Sequence, residues 1–173
     1  MKKLMMLLLL SIFSLFLVAC GTSEETTGVG PGSGSESGTS DEAQKGEASM
    51  EVEDLLYELK VDVDGEKVTV TMTLTNTSEN VKRVEFSSGQ QFDVFIRDNE
   101  GNTVYHYAEG KVFTQALILE EIAPGDTKTF EDVWVAEAPG SYTVEAMLIL
   151  YAIDGEEIDR EAFTLEVDIT VAE

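Results

Sequence analysis

The chain has 173 residues, with 11 Lys and Arg against 34 Asp and Glu and a net charge of −23. A surface this acidic repels nucleic acid and anionic lipid head groups and attracts cations and basic proteins, although acidity is equally a way of staying soluble. Cys20 is the only cysteine, which excludes a disulfide within the chain, so the fold must hold by its core, and the length is sufficient to bury one.

The first segment in chain order is Met1 to Ala19. Lys2 and Lys3 precede a run from Leu4 to Ala19 that is almost wholly apolar and shorter than the roughly 20 residues a helix needs to cross a bilayer. A basic start before a short apolar run is the pattern of an export signal. The run ends in Leu17-Val18-Ala19-Cys20, the lipobox pattern of bacterial lipoproteins. Small residues before the cleavage point fit a narrow peptidase pocket, and the Cys20 thiol is the nucleophile that takes up a diacylglyceryl group. Two acyl chains hold a protein stably at a membrane, where one does so only marginally. The expectation is therefore a signal peptide over 1–19, a lipid-modified Cys20 and an extracytoplasmic, membrane-anchored domain. An uncleaved anchor helix with an incidental cysteine is the alternative.

Residues 20–49 read as a linker. Gly21 to Ser49 is built of Gly, Ser, Thr and acids around Gly28-Val29-Gly30-Pro31-Gly32-Ser33-Gly34 and contains no aromatic residue. Such a composition does not bury enough apolar area to offset its conformational entropy. As a random coil it would span about 30 Å root-mean-square.

From residue 50 to 173 the pattern has period two. Leu55, Tyr57, Leu59 and Val61 alternate with polar residues, and Val68, Val70, Met72 and Leu74 alternate with Thr69, Thr71, Thr73 and Thr75. Phe92-Val94-Ile96, Tyr142 to Leu150 and Phe163 to Val171 repeat the alternation, as half-buried strands do. Asp64-Gly65, Asn99-Glu100-Gly101, Pro124-Gly125, Pro139-Gly140 and Asp154-Gly155 supply the turns between them. Eight or nine strands joined by short turns predict one all-β domain, an antiparallel β-sandwich.

Signs of catalysis are few. His106 is the only histidine, which makes a zinc site improbable by ligand count; flanked by Tyr105 and Tyr107 on a predicted strand, it is expected to face solvent. The acids around Asp64-Gly65 and Asp154-Gly155 raise calcium binding, but neither has the ligand spacing of a calcium loop, and Asp-Gly is also what a tight hairpin requires. Asn76-Thr77-Ser78 is a glycosylation sequon in form and a turn in context. The reading is a non-enzyme without a cofactor.

Five stretches occur in order: Phe86-Ser87-Ser88-Gly89-Gln90-Gln91-Phe92-Asp93, Tyr105-His106-Tyr107, Phe113-Thr114-Gln115-Ala116, Asp132-Val133-Trp134 and Pro139-Gly140-Ser141-Tyr142. Over about residues 58 to 150 this series resembles the intracellular proteinase inhibitor family of bacilli, the BsuPI type. The resemblance implies an immunoglobulin-like sandwich and inhibition of subtilisin-type serine proteinases. The family's namesake works inside the cell, so a proteinase outside it would have to be the target here. Where the family has aromatic-basic-aromatic-Ser, this chain has Tyr105-His106-Tyr107-Ala108. Tyr105, His106, Tyr107, Phe113, Thr114 and Gln115 are the candidate protein-binding residues, with Phe86, Phe92 and Trp134 expected in the core and Gly89 expected at positive φ. The loops at Glu109 to Val112 and Ala136 to Pro139 are the candidates for presentation to an enzyme. A non-inhibitory envelope interaction or scaffold module is the alternative function, and a calcium- or ligand-binding surface lipoprotein is the second.

Overall fold

A computed structural model of the chain describes residues 45–172. The expected signal peptide, the lipid-modified Cys20 and the linker as far as residue 44 lie outside the described residues. Within them are twelve strands and no helix. In order these are β1 (Lys45–Val52), β2 (Leu55–Asp64), β3 (Lys67–Asn76), β4 (Lys82–Phe86), β5 (Phe92–Asp98), β6 (Thr103–His106), β7 (Ile118–Ile122), β8 (Thr127–Val135), β9 (Gly140–Leu148), β10 (Ala152–Ile153), β11 (Glu156–Glu157) and β12 (Thr164–Val171). They form three antiparallel four-stranded sheets, ordered β1-β2-β3-β8, β11-β10-β4-β7 and β12-β9-β5-β6.

Alternation builds the core. Every second residue of β2 from Leu55 to Val63 and of β3 from Val68 to Leu74 is buried, and so are Tyr142, Val144, Ala146 and Leu148 of β9 and Val167, Ile169 and Val171 of β12. The first and third sheets face one another across these residues. Tyr57 of β2 spans the gap: it packs on Phe163 at 6.2 Å between ring centroids, and its hydroxyl donates to the Ala146 carbonyl of β9 at 3.0 Å. Burial raises the pKa of that phenol well above its ordinary range, so it stays a donor. The second sheet joins through Phe86 of β4, whose ring meets Phe130 of β8 edge-on at 6.4 Å. The Tyr142 hydroxyl donates to the carbonyl of Ala138 four residues earlier, at 2.7 Å, in the manner of the tyrosine corner of immunoglobulin-like sandwiches.

The strand count exceeds the expected eight or nine in part because two-residue β10 and β11 are too short to show a period. β1 also begins at Lys45, inside the stretch read as linker. Its inward positions are Gly46, Ala48, Met50 and Val52, so its first half carries almost no apolar signal. Gly46 is buried, and a Cβ there would lie 3.1 Å from Val167 of β12; the small residue permits the close approach. Residues 111–117 belong to no strand.

Candidate functional site

The β5–β6 hairpin sets the geometry of the aromatic-His-aromatic motif. Its loop closes on Asp98, whose carboxylate accepts N–H groups from Glu100 at 2.9 Å and Asn102 at 2.8 Å, with the Asn102 side-chain amide at 3.0 Å. The Asn102 bonds, side chain first and then backbone, hold that carboxyl below its ordinary pKa. With the loop fixed, Ile96 pairs with Tyr105 and Phe95 with His106. Strand alternation then separates the motif.

Tyr105 and Tyr107 go to the core side. Tyr105 packs on Trp134 at 6.5 Å and its hydroxyl donates to Asp132 at 2.8 Å. Burial, then the Asp132 bond, raise its pKa, and burial likewise raises that of Tyr107, with the charges of Asp132 and Asp93 adding to it. Both remain protonated phenols. Tyr107 lies 4.2 Å from Phe92, which lies 5.7 Å from Phe130. Trp134 is buried and meets Tyr142 edge-on at 5.0 Å. Of the expected core residues, Phe86 and Trp134 are buried and Phe92 is half-buried.

His106 goes to the opposite face, but not into free solvent as expected. Its ring stacks on Phe95 at 4.1 Å, and Nε2 lies 3.0 Å from Oδ2 of Asp93. Asp93 is one of the two buried polar side chains among the described residues; it also accepts the Gln90 side-chain amide at 3.0 Å and the Val94 N–H at 3.0 Å. The correction has a simple cause: Asp93 is too far away in sequence to be seen as a partner, yet β5 brings it alongside.

Between β6 and β7 the chain crosses from the third sheet to the second through residues 107–117. Glu109 N–H bonds to the His106 carbonyl and Lys111 N–H to the Ala108 carbonyl, each at 3.1 Å, with Gly110 at φ 71°. The Lys111 ammonium stands 3.2 Å above the centre of the Tyr107 ring, and Phe113 packs on the same ring at 6.1 Å. Gly89 N–H donates to the Thr114 carbonyl at 2.8 Å. Gly89 is not at positive φ, contrary to expectation. What it supplies is room, since a Cβ there would lie 2.6 Å from Thr114 Oγ1. Gln115 is exposed and reaches solvent. The fold thus brings Tyr107, Phe113 and Thr114 into one loop assembly with Gly89, joins Tyr105 to it through the core, and leaves His106 on the other face and Gln115 outside.

The second candidate loop is different. Ala136 is buried, with its N–H on the Glu66 carbonyl at 2.8 Å, and the Ala138 carbonyl is taken by Tyr142. Those two backbone groups are committed to the fold, while Glu137 between them is exposed. Among the described residues no three carboxylates or histidines gather as a metal ion would require.

The family described as intracellular proteinase inhibitor, BsuPI, matches residues 55–152. The chain belongs to this family. The match runs from the first residue of β2 into β10 and so contains the aromatic row, the Gly89–Thr114 bond and the whole 107–117 loop, which makes the domain a proteinase-inhibitor-like module. No curated protein matches the sequence. Similar solved structures include β-glucosidase 3B from Thermotoga neapolitana in complex with α-D-glucose (16% identity, 66% of this chain and 15% of that one, TM-score 0.36). They also include the β-glucosidase EmGH1 from Erythrobacter marinus (13% identity, 62% and 13%, TM-score 0.30) and the KRT10-binding region domain of the pneumococcal serine-rich repeat protein PsrP (16% identity, 76% and 98%, TM-score 0.35). The chain spans only 15% and 13% of the two glucosidases, and at these TM-scores none of the three likenesses bears on function.

The contacts that Asp93, Asp132 and Gly89 make are not legible in the sequence. Asp93 and Asp132 stand in the short motifs that carry the family resemblance, yet nothing local marks a carboxylate as the partner of a residue 13 or 27 positions away. The signal for Gly89 is a glycine outside any turn of positive φ, which points to close approach of another backbone.

Proposed function

We propose that this domain is a non-enzymatic, lipid-tethered, extracytoplasmic inhibitor of a subtilisin-type serine proteinase, presenting the 107–117 loop to the enzyme's cleft. The observation that carries the reading is a loop tied down at both shoulders and exposed between them: Val112 is 97% exposed, with Lys111 and Phe113 on Tyr107 to either side. An enzyme cleft binds an extended segment through backbone hydrogen bonds and side-chain pockets. A loop already held in one shape avoids the ordering cost that a flexible substrate meets. In the Ala136 to Pro139 loop Ala136 is buried and the Ala138 carbonyl is held by Tyr142, which leaves a shorter free segment.

Family membership supports inhibition as the activity, and Leu17-Val18-Ala19-Cys20 supports the tether. The acidic surface would speed encounter with a basic enzyme, an effect that weakens as salt rises.

Titrating the purified domain against a subtilisin-type proteinase tests the reading. Inhibition should saturate at a fixed stoichiometry, with the domain intact by mass spectrometry over many substrate turnovers. Rapid digestion of the folded domain with no lag would reject it. The tether is tested separately: Cys20→Ser should release the protein from the membrane fraction or leave an unprocessed precursor, and normal processing with membrane retention would remove the lipid from the proposal.

A further inference from the structure

We infer, on the footing of the inhibitory reading, that Val112 is the residue that enters the proteinase's primary specificity pocket. The pocket it fits is apolar and sized for a β-branched side chain, and Val112–Phe113 is the bond offered to the catalytic serine. Exposure alone would not carry this, because single apolar residues on a surface are ordinary. The decisive feature is what surrounds Val112. The residue before it is fixed by its N–H bond to Ala108 and by its ammonium over the Tyr107 ring, and the residue after it by stacking on the same ring. The next residue, Thr114, is held through its carbonyl by Gly89. Val112 itself points away from all of these, and among the described residues its backbone N–H and C=O have no hydrogen-bond partner. Those two groups are the ones a cleft needs free.

The same arrangement excludes the neighbouring lysine as the specificity residue. The Lys111 ammonium rests 3.2 Å from the Tyr107 ring centre, an attraction that withdrawal into a carboxylate-floored pocket would forfeit.

The tethers also explain why presentation would inhibit rather than feed the enzyme. If the proteinase serine Oγ bonds to the Val112 carbonyl carbon, the Val112–Phe113 C–N bond breaks. The serine proton then passes through the enzyme's base to the Phe113 nitrogen, which leaves as an amine. Phe113 remains on Tyr107 and Thr114 remains on Gly89, so that amine stays beside the acyl-enzyme. The reverse step, amine attack on the ester carbon with the proton returned to serine, then competes with water, because a held nucleophile acts at a high effective concentration.

Three single variants test the assignment, with unchanged melting curves required for the exposed position 112. Val112→Asp should weaken inhibition of a subtilisin-type proteinase by roughly 100-fold or more, since an apolar pocket gives a carboxylate no partner. Val112→Lys should bring a trypsin-type proteinase under stoichiometric inhibition. Gly89→Ala, which pushes Thr114 away, should leave the first cut at Val112–Phe113 but make it accumulate about ten-fold faster or more, as mass spectrometry of the fragments would show. Inhibition by Val112→Asp within a few-fold of the unaltered domain, or a first cut at another bond, would overturn the assignment while leaving inhibition standing. Failure of the unaltered domain to inhibit would remove the functional reading and this assignment together.

Discussion

Asn76 shows how much one polar residue can hold. It is completely buried at the end of β3, and its side-chain amide donates to the Asn80 carbonyl at 2.7 Å and the Ile122 carbonyl at 2.8 Å. Its side-chain oxygen accepts the Ser78 N–H at 2.9 Å and the Ser78 hydroxyl at 2.8 Å. The backbone is used as well, with the N–H on Asp126 and the C=O on Gly125. A turn role was legible from Asn76-Thr77-Ser78; burial was not, because the residues that enclose it come from β7 and the Pro124-Gly125 turn. Both N–H groups of the sequon amide are used inside the folded domain. Asn76→Ala leaves the buried Ile122 carbonyl unsatisfied, at about 1–3 kcal/mol, and the part-buried Asn80 carbonyl and Ser78 N–H without their partner, so a loss of about 2 kcal/mol or more is expected in urea denaturation with unchanged slope. Trp134 was easier to read, since a tryptophan on an alternating strand has few places to go but the core. Its partners Tyr105 and Tyr142 came only with the fold.

Hairpin turns are the elements where local chemistry speaks most clearly, and one of them speaks against its own sequence. Asp64 and Lys67 close β2 onto β3 around Gly65 at φ 57°, and Asp154 at 53° with Gly155 at 85° closes β10 onto β11; both turns carry the glycine that such φ values favour. Val52 and Leu55 close β1 onto β2 in the same two-residue manner, but the loop is Glu53 at φ 52° and Asp54 at 59°. Two non-glycine residues are held left-handed there, at a cost of about 1–2 kcal/mol per residue, less where a short polar side chain such as Asp bonds locally. No turn signal marks this hairpin, and residues 45–49 of β1 fall in the stretch whose composition is that of a linker. Glu53→Gly should therefore stabilise the domain by about 1 kcal/mol, with part of the relief lost to the freer unfolded chain, and raise the thermal midpoint by a few degrees. A lowered midpoint would mean that the Glu53 side chain carries an interaction that outweighs the strain. The loop after β6 is the opposite case: Phe113 to Leu117 carries strand-like residues, but Phe113 packs on Tyr107 and the chain crosses between sheets.

On the scale of the whole molecule, the first sheet depends on a strand that begins before the apparent domain. Residues 45 to 49 pair with Asp62 through Glu58 of β2, and Gly46 seats against Val167. A chain beginning at Met50 loses five of the eight β1 pairings and uncovers this seam, so it should be less stable than one beginning at Lys45 by about 2 kcal/mol or more, read as a lower denaturant midpoint. Equal midpoints would show β1 to be a marginal edge. The sequence by itself determined an all-β domain, its long strands, most of its turns and, through five short motifs, its family. These are local properties, written in alternation every two residues and in glycines at bends. Only the tertiary structure decided that the strands sort into three sheets, that the Tyr-His-Tyr motif divides between two faces, and that Val112 stands exposed between two held neighbours. The physical reason is that β pairing joins distant segments: β3 lies beside β8, and Gly89 meets Thr114, through contacts that no window of sequence contains.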